Sequence, residues 1–144
     1  MPTRTARTAW NGTLQEGSGQ VELSSSKVGT FDVNFPKRAA DDAGGTTSPE
    51  ELIAAAHAAC FAMSLSNEIG KAGGTPQALD VTADVTLGRD DSGLAITGIT
   101  LTVRGEVEGL DADAFQQAAQ TAKVGCPVSK ALAAVDITLD AALE

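Results

Sequence analysis

The sequence predicts an α+β protein in which helices cover one face of an antiparallel sheet. Three observations carry this expectation. Residues 79–87 and 95–107 alternate apolar with polar side chains, and Asp90-Asp91-Ser92-Gly93 between them has the composition of a turn. Ser48-Pro49-Glu50-Glu51 leads into a run that is almost all Ala and larger apolar residues as far as Leu65. Asp111 stands ahead of a second helical stretch, which Gly125 interrupts.

In chain order, residues 3–10 mix small and polar side chains as an edge strand does. Residues 12–15 and 19–25 flank Glu16-Gly17-Ser18-Gly19, a hairpin-loop composition. Val28 to Phe35 reads as a further strand, with Phe31, Val33 and Phe35 on one face and Pro36 at its end. Lys37 to Thr47 is polar, holds Gly44-Gly45 and reads as a mobile loop. Ser48 then suits an N-cap and Pro49 the first helical position. Glu50 and Glu51 favour the positive end of the helix dipole, with Glu51 placed for a capping box. A helix apolar nearly all round is expected to be buried. It extends to about Ala72, where Gly73-Gly74-Thr75-Pro76 stops it. The two alternating runs form a long antiparallel hairpin, with Ile99, Leu101 and Val103 on one face. Asp111 caps a helix to about Val124, Cys126-Pro127 opens a short one to about Ala133, and Val135 to Leu143 closes as a last strand. No linker or repeat divides the chain, so residues 1–144 read as one domain. A helix this apolar needs more cover than a two-layer domain gives, and a dimer that encloses it would supply that cover.

Bulk composition narrows the function classes. The net charge is −9, without the clustered Lys and Arg that phosphate contacts require, which argues against nucleic acid and against an anionic membrane surface as partners. Met1 to Trp10 has no apolar core of a signal peptide, so a cytoplasmic location is expected. In that compartment two cysteines in 144 residues are too few for a disulfide framework, and any disulfide between them tends to be transient. One His and two Cys leave at most a partial zinc ligand set, and no phosphate-binding glycine loop is present. No metal and no cofactor is expected.

Chemistry centres on Cys60 and Cys126. Two readings stand for Cys60, a space-filling core thiol and a functional one. Burial raises a thiol's pKa, so the functional reading needs a cation nearby. Arg38 is the candidate, with Lys37 its nearest competitor; a guanidinium keeps its proton and can hold a thiolate. Glu50 lies ten residues before Cys60, on the same helical azimuth but about 15 Å away along the axis. It can orient an Arg reaching in from a loop; its plain reading is a first-turn carboxylate. Cys126, ahead of Pro127 at a helix start, has the setting that lowers a thiol's pKa. His57, three residues before Cys60, reads first as a hydrogen-bonded core residue and second as the base of a Cys–His pair.

At these residues the chain resembles the OsmC/Ohr family of thiol-dependent organic hydroperoxide reductases. The carriers are Ser48-Pro49-Glu50-Glu51-Leu52, then Ala55-Ala56-His57-Ala58-Ala59-Cys60-Phe61, and Gly125-Cys126-Pro127-Val128-Ser129. The spelling Glu-Glu-Leu-Ile and Ala-His-Ala-Ala-Cys is similar to the OsmC branch. The resemblance implies antiparallel sheets wrapped around a buried central helix in an intertwined homodimer with active sites at the interface. It implies a peroxidatic role for Cys60, a resolving role for Cys126, Arg38 as the active-site Arg and Glu50 as the carboxylate orienting it. The substrate would be an organic hydroperoxide, and the reductant an external dithiol such as a lipoyl protein. Rival readings are a non-enzymatic redox sensor, an apolar-ligand-binding module on the same fold, and a Cys–His hydrolase using His57.

Overall fold

Turn-forming residues cut the N-terminal segment into three short strands, β1 (Arg7–Asn11), β2 (Ser18–Glu22) and β3 (Thr30–Val33), paired antiparallel in that order. The computed structural model describes residues 1–144, in two compact units, Met1–Leu52 and Ile53–Glu144. In the first unit the strands are shorter than the sequence suggests. Residues 12–15 turn rather than extend, because Gly12 adopts φ +98° and its carbonyl accepts the Trp10 indole N–H at 2.9 Å. Gly19 belongs to β2, opposite Trp10, where an added Cβ would stand 2.6 Å from the Ala9 carbonyl oxygen.

The predicted strand through Phe35 also ends early, and the reason is a cap. Asn34 accepts the Lys37 backbone N–H on its side-chain oxygen at 2.8 Å, and Pro36 fits the first turn of α1 (Phe35–Arg38). Pro36 therefore opens a helix instead of closing a strand, and Arg38 stands at a helix end.

The long helix α2 (Pro49–Lys71) matches its expected bounds. Ser48 Oγ accepts the Glu51 N–H at 3.1 Å, whereas the Glu51 carboxylate takes the Thr47 hydroxyl instead of completing a capping box. Gly73, at φ +91°, ends the helix, and the Gly74 N–H closes back on the Ile69 carbonyl at 3.0 Å. The expectation of burial all round holds along one line only. His57, Phe61, Leu65 and Ile69 recur every four residues and are each 0% exposed, whereas Ala55, Ala56 and Ala59 are exposed and Met63 is 74% exposed. The sheet and helix of the second unit pack on a single side of α2, so one stripe suffices to fill that contact. By length and composition α2 could cross a membrane, but its buried line belongs to the core of the second unit.

That core rests on a sheet of β4 (Thr75–Asp90), β5 (Gly93–Glu108) and β6 (Ile137–Leu143), ordered β4-β5-β6. Period-two alternation sets its rows: Val85 opposite Ile99 and Ile137 beyond, Ala83 opposite Leu101 and Leu139, Val81 opposite Val103 and Ala141. The hairpin turns at Asp91-Ser92, where Asp90 accepts both the N–H and the hydroxyl of Ser92 at 2.8 and 2.7 Å. The opposite face is polar, with Thr100 bonded to Thr138 at 3.1 Å and Arg104 paired with Asp140 at 3.2 Å.

The sheet is not antiparallel throughout. β6 pairs parallel with β5, because the intervening α3 (Ala112–Gly125) and α4 (Pro127–Ala131) carry the chain back to the start of the sheet before it re-enters. Asp111 caps α3 through the Ala114 N–H at 2.8 Å. Phe115, Ala118, Ala119 and Ala122 of α3 meet Phe61, Leu65 and Ile69 of α2 over Leu101 and Val103. Three alanines on the inner face of α3 leave room for the larger side chains of α2.

Leu101 is fully buried in the middle row. Leu101→Ala should lower the unfolding free energy by about 2–5 kcal/mol in urea melts, whereas Thr82→Ala on the exposed face should change it by no more than about 0.5 kcal/mol.

Candidate active site

Two residue pairs chosen from the sequence come together, one in each unit. In the first unit the Arg38 guanidinium grips the Glu50 carboxylate with two donors. Nε donates to Oε1 at 2.8 Å and a terminal nitrogen to Oε2 at 3.1 Å. The fork geometry is the strong form of such a pair. Glu50 is 7% exposed, so the contact is shielded on its acidic side. The hydrogen bonds that Arg38 donates to Glu50 raise the Arg38 pKa against the opposing effect of burial, and its charge is permanent. Lys37 points elsewhere: it is exposed and its side chain lies along Gly44. Arg38 also lines an apolar cavity of about 520 Å³ walled by Trp10, Leu14, Val21, Phe35 and Leu52.

In the second unit Cys60 lies on α2 and Cys126 at the start of α4, both as free thiols close enough to shift each other's titration. Phe61 anchors α2 in the core, so Cys60, one residue earlier, lies at the core's edge and is half-buried. Cys126 is 0% exposed and sits between α3 and α4, as the last cap of one and the N-cap residue of the other. Its sulfur closes no side-chain cap on α4. Burial pushes the Cys60 thiol up, and so does its role as donor to Cys126; the Val128 N–H and Ser64 act weakly in the opposite sense. Burial also pushes Cys126 up, but the Cys60 thiol, the Ser129 hydroxyl and the Ser129 and Val128 N–H groups, close by though short of a formed cap, outweigh it and bring the thiol below its ordinary value. The Cys60 thiol is thus raised and the Cys126 thiol lowered from their ordinary values.

His57 and Ser129 lie behind this pair. His57 Nε2 and Ser129 Oγ are 2.7 Å apart, both side chains are buried, and the other ring nitrogen, Nδ1, has no partner. A buried N–H without an acceptor is costly, so the proton belongs on Nε2 and the bare Nδ1 lone pair is the lesser loss. Burial holds the His57 pKa below its ordinary value, which keeps the ring neutral. No three His, Cys, Asp or Glu side chains converge on a common point.

Residues 41–140 match the family model described as OsmC-like protein. The chain belongs to the OsmC-like protein family. It is 47% identical to peroxiredoxin OsmC of Escherichia coli strain K12 over 131 residues, 91% of this chain and 90% of that protein. It is 36% identical to the organic hydroperoxide resistance protein OhrA of Bacillus subtilis strain 168, over 83% of this chain and 85% of the relative. The fold is similar to the crystal structure of the organic hydroperoxide resistance protein OhrB of Bacillus subtilis, with TM-score 0.75 and 31% identity over 95% of this chain and 97% of that one. The higher identity to OsmC accords with the branch that Glu-Glu-Leu-Ile and Ala-His-Ala-Ala-Cys suggest.

For this OsmC-like protein the sequence singled out Cys60, Cys126, Arg38 and Glu50, and the fold joins them two by two. His57 occupies the hydrogen-bonded core position read first for it. Ser129 is the residue that sequence reasoning passed over. Its one signal was its place three residues after Cys126, which puts it on the same side of a following helical turn.

The neutral state of His57 has a consequence for stability. The folded pKa lies below the unfolded value of about 6.5, so in that window the unfolded chain binds the extra proton. Stability should thus be unaffected well above pH 6.5 and fall as pH drops through the window, by up to about 1.4 kcal/mol per pH unit from this group. Denaturant melts of wild type and His57→Gln across this range should differ by that slope, with the variant flatter.

Proposed function

We propose that this protein is a thiol-dependent peroxidase that reduces organic hydroperoxides to alcohols, with Cys60 as the peroxidatic and Cys126 as the resolving cysteine. The observation that carries the reading is the pairing of a half-buried Cys60 with an enclosed Cys126 on neighbouring helices, in a family whose relatives are named peroxiredoxin OsmC and organic hydroperoxide resistance proteins. The Cys60 thiolate attacks the terminal peroxide oxygen. The O–O bond breaks, the terminal oxygen stays on sulfur as the sulfenic acid of Cys60, and the carbon-bound oxygen leaves as the alcohol after taking a proton. The Cys126 sulfur then attacks the Cys60 sulfur, the S–S bond forms and water departs. An external dithiol returns two electrons by exchange; a lipoyl protein is the candidate donor.

The charge balance of the thiol pair bears on this scheme. Burial raises the Cys60 thiol, so its thiolate needs a cation. Arg38, held by the buried Glu50, is the residue proposed to supply it and to polarise the O–O bond. The apolar cavity that Arg38 lines favours a peroxide with an alkyl or aryl tail over hydrogen peroxide. The exposed Ala55, Ala56, Ala59 and Met63 on α2 support a homodimer that covers this face, with the active sites at the interface. The reaction suits the cytoplasm, where dithiol reductants are maintained. No nucleic acid, membrane, metal or cofactor enters it.

With cumene hydroperoxide and a dithiol, wild type should turn over repeatedly and Cys60→Ser should not. Cys126→Ser should stop after one equivalent with a sulfenic acid on Cys60, trapped by dimedone. Arg38→Met should slow peroxide consumption by about 100-fold, the cost of one charge-stabilising donor in an active site. Wild-type protein that leaves the peroxide untouched with both thiols reduced would favour the ligand-binding module; stoichiometric oxidation without turnover would favour the sensor. Loss of activity in His57→Ala with none in Cys126→Ser would point to the hydrolase.

A further inference from the structure

The peroxide chemistry gives no task to His57 and Ser129, the two buried polar side chains of the second unit. Their bond ties α2 to α4 at 2.7 Å. The unpartnered Nδ1 assigns the ring proton to Nε2, so Ser129 Oγ accepts from His57. A hydroxyl has one hydrogen, and with its oxygen engaged by His57 that hydrogen is free to point at a second acceptor. Cys126 stands one turn earlier, its side chain is 0% exposed, and the Ser129 hydroxyl acts to lower its thiol pKa.

Burial separates the two ends of a Cys60–Cys126 disulfide. Cys60 is half-buried and Cys126 fully enclosed, so an incoming thiolate reaches the Cys60 sulfur. We propose that Ser129, oriented by His57, assists the reductive half of the cycle by donating its hydroxyl hydrogen to the Cys126 sulfur as that sulfur leaves. The proposal rests on the peroxidase reading. In the step, the reductant's thiolate forms a bond to Cys60 Sγ, the Cys60–Cys126 bond breaks, and its electron pair departs on Cys126. The second thiol of the reductant, losing its proton to solvent, then attacks its own sulfur in the mixed disulfide. Cys60 leaves as thiolate and the dithiol is oxidised to a cyclic disulfide. Leaving-group thiolates depart faster when stabilised, and a donor polarised by a second hydrogen bond is a stronger one. In this step Ser129 acts on the departing sulfur, and His57, bonded to Ser129 at 2.7 Å, is a positioning residue. Cys60 is the other titratable group against Cys126. Lys130 of α4 is exposed, and Lys123, half-buried in the last turn of α3, makes no ion pair.

The test separates the two half-reactions in the full-length protein. Disulfide-form protein, made with one equivalent of cumene hydroperoxide, is reduced by dithiothreitol and its thiols are counted by quenched alkylation. Ser129→Ala should slow this reduction by about tenfold, the loss of one hydrogen bond to a charged group, and slow peroxide consumption by the reduced enzyme far less. His57→Leu should do the same, whereas His57→Gln, which keeps an N–H donor near the Nε2 position, should recover most of the rate. In a Cys60→Ser background, Ser129→Ala should also raise the Cys126 pKa read by ultraviolet thiolate absorbance. Equal slowing of both half-reactions, no slowing of either, or a Cys126 pKa indifferent to Ser129→Ala would overturn the proposal. If His57→Leu does not fold, Ser129→Ala and His57→Gln decide. The thiolate titration needs no turnover, so an inactive wild type would remove the peroxidase reading and still leave the Ser129–Cys126 contact tested on its own.

Discussion

The seating of one line of side chains, His57, Phe61, Leu65 and Ile69, fixes everything else at the thiol site. Each of the three apolar members stabilises the fold by about 1.5–3 kcal/mol when fully buried. Turning α2 by one residue, about 100°, would lift all three out of contact and bring Ala and Ser side chains to the sheet. That rotational lock holds Cys60 at the border of the core, where it is neither exposed nor sealed. The same lock places His57 one turn before Phe61 and aims it at α4. The small inner face of α3, with Ala118, Ala119 and Ala122, gives the large side chains of α2 their space and sets where α3 ends, hence where Cys126 begins α4.

Charge is then distributed by a few short-range contacts. Arg38 and Glu50 form a forked pair whose acidic member is shielded, so the guanidinium is held in one orientation while 31% of its side chain remains accessible. The Cys126 thiol is lowered although it is the more enclosed of the two, because nearby donors outweigh desolvation there. Burial and its hydrogen bond to Cys126 raise the Cys60 thiol, and the Val128 N–H and Ser64 do not offset them. The proposed division of labour, Cys126 resolving and Cys60 attacking with the help of a cation, is consistent with these directions.

Much of this was legible in the sequence. The helix from Pro49, the β4–β5 hairpin, the cap at Asp111 and the two cysteine motifs all have strong local signatures, because caps and period-two rows act within a few residues. The failures have physical reasons too. Asn34 and Pro36 start a helical turn inside a stretch that alternates like a strand, and local pattern alone does not weigh a cap against alternation. Parallel pairing of β6 depends on a crossover of two helices, a long-range property that strand composition does not encode. An Ala-rich helix is apolar all round, yet only spatial neighbours decide which stripe of it is covered. Ser129 had no signal beyond its spacing, since a serine in the first turn of a helix is common; its buried bond to His57 joins residues 72 positions apart.

The central claim is that Cys60 and Cys126 form a redox pair, and the most direct measurement is the covalent state of the protein after one equivalent of an organic hydroperoxide with no reductant present. Peptide mapping under denaturing, alkylating conditions should recover a single linked species joining the peptides that carry Cys60 and Cys126, with full recovery of both thiols after dithiol treatment. Two separately alkylated peptides, or oxidation confined to one cysteine without cross-linking, would contradict it.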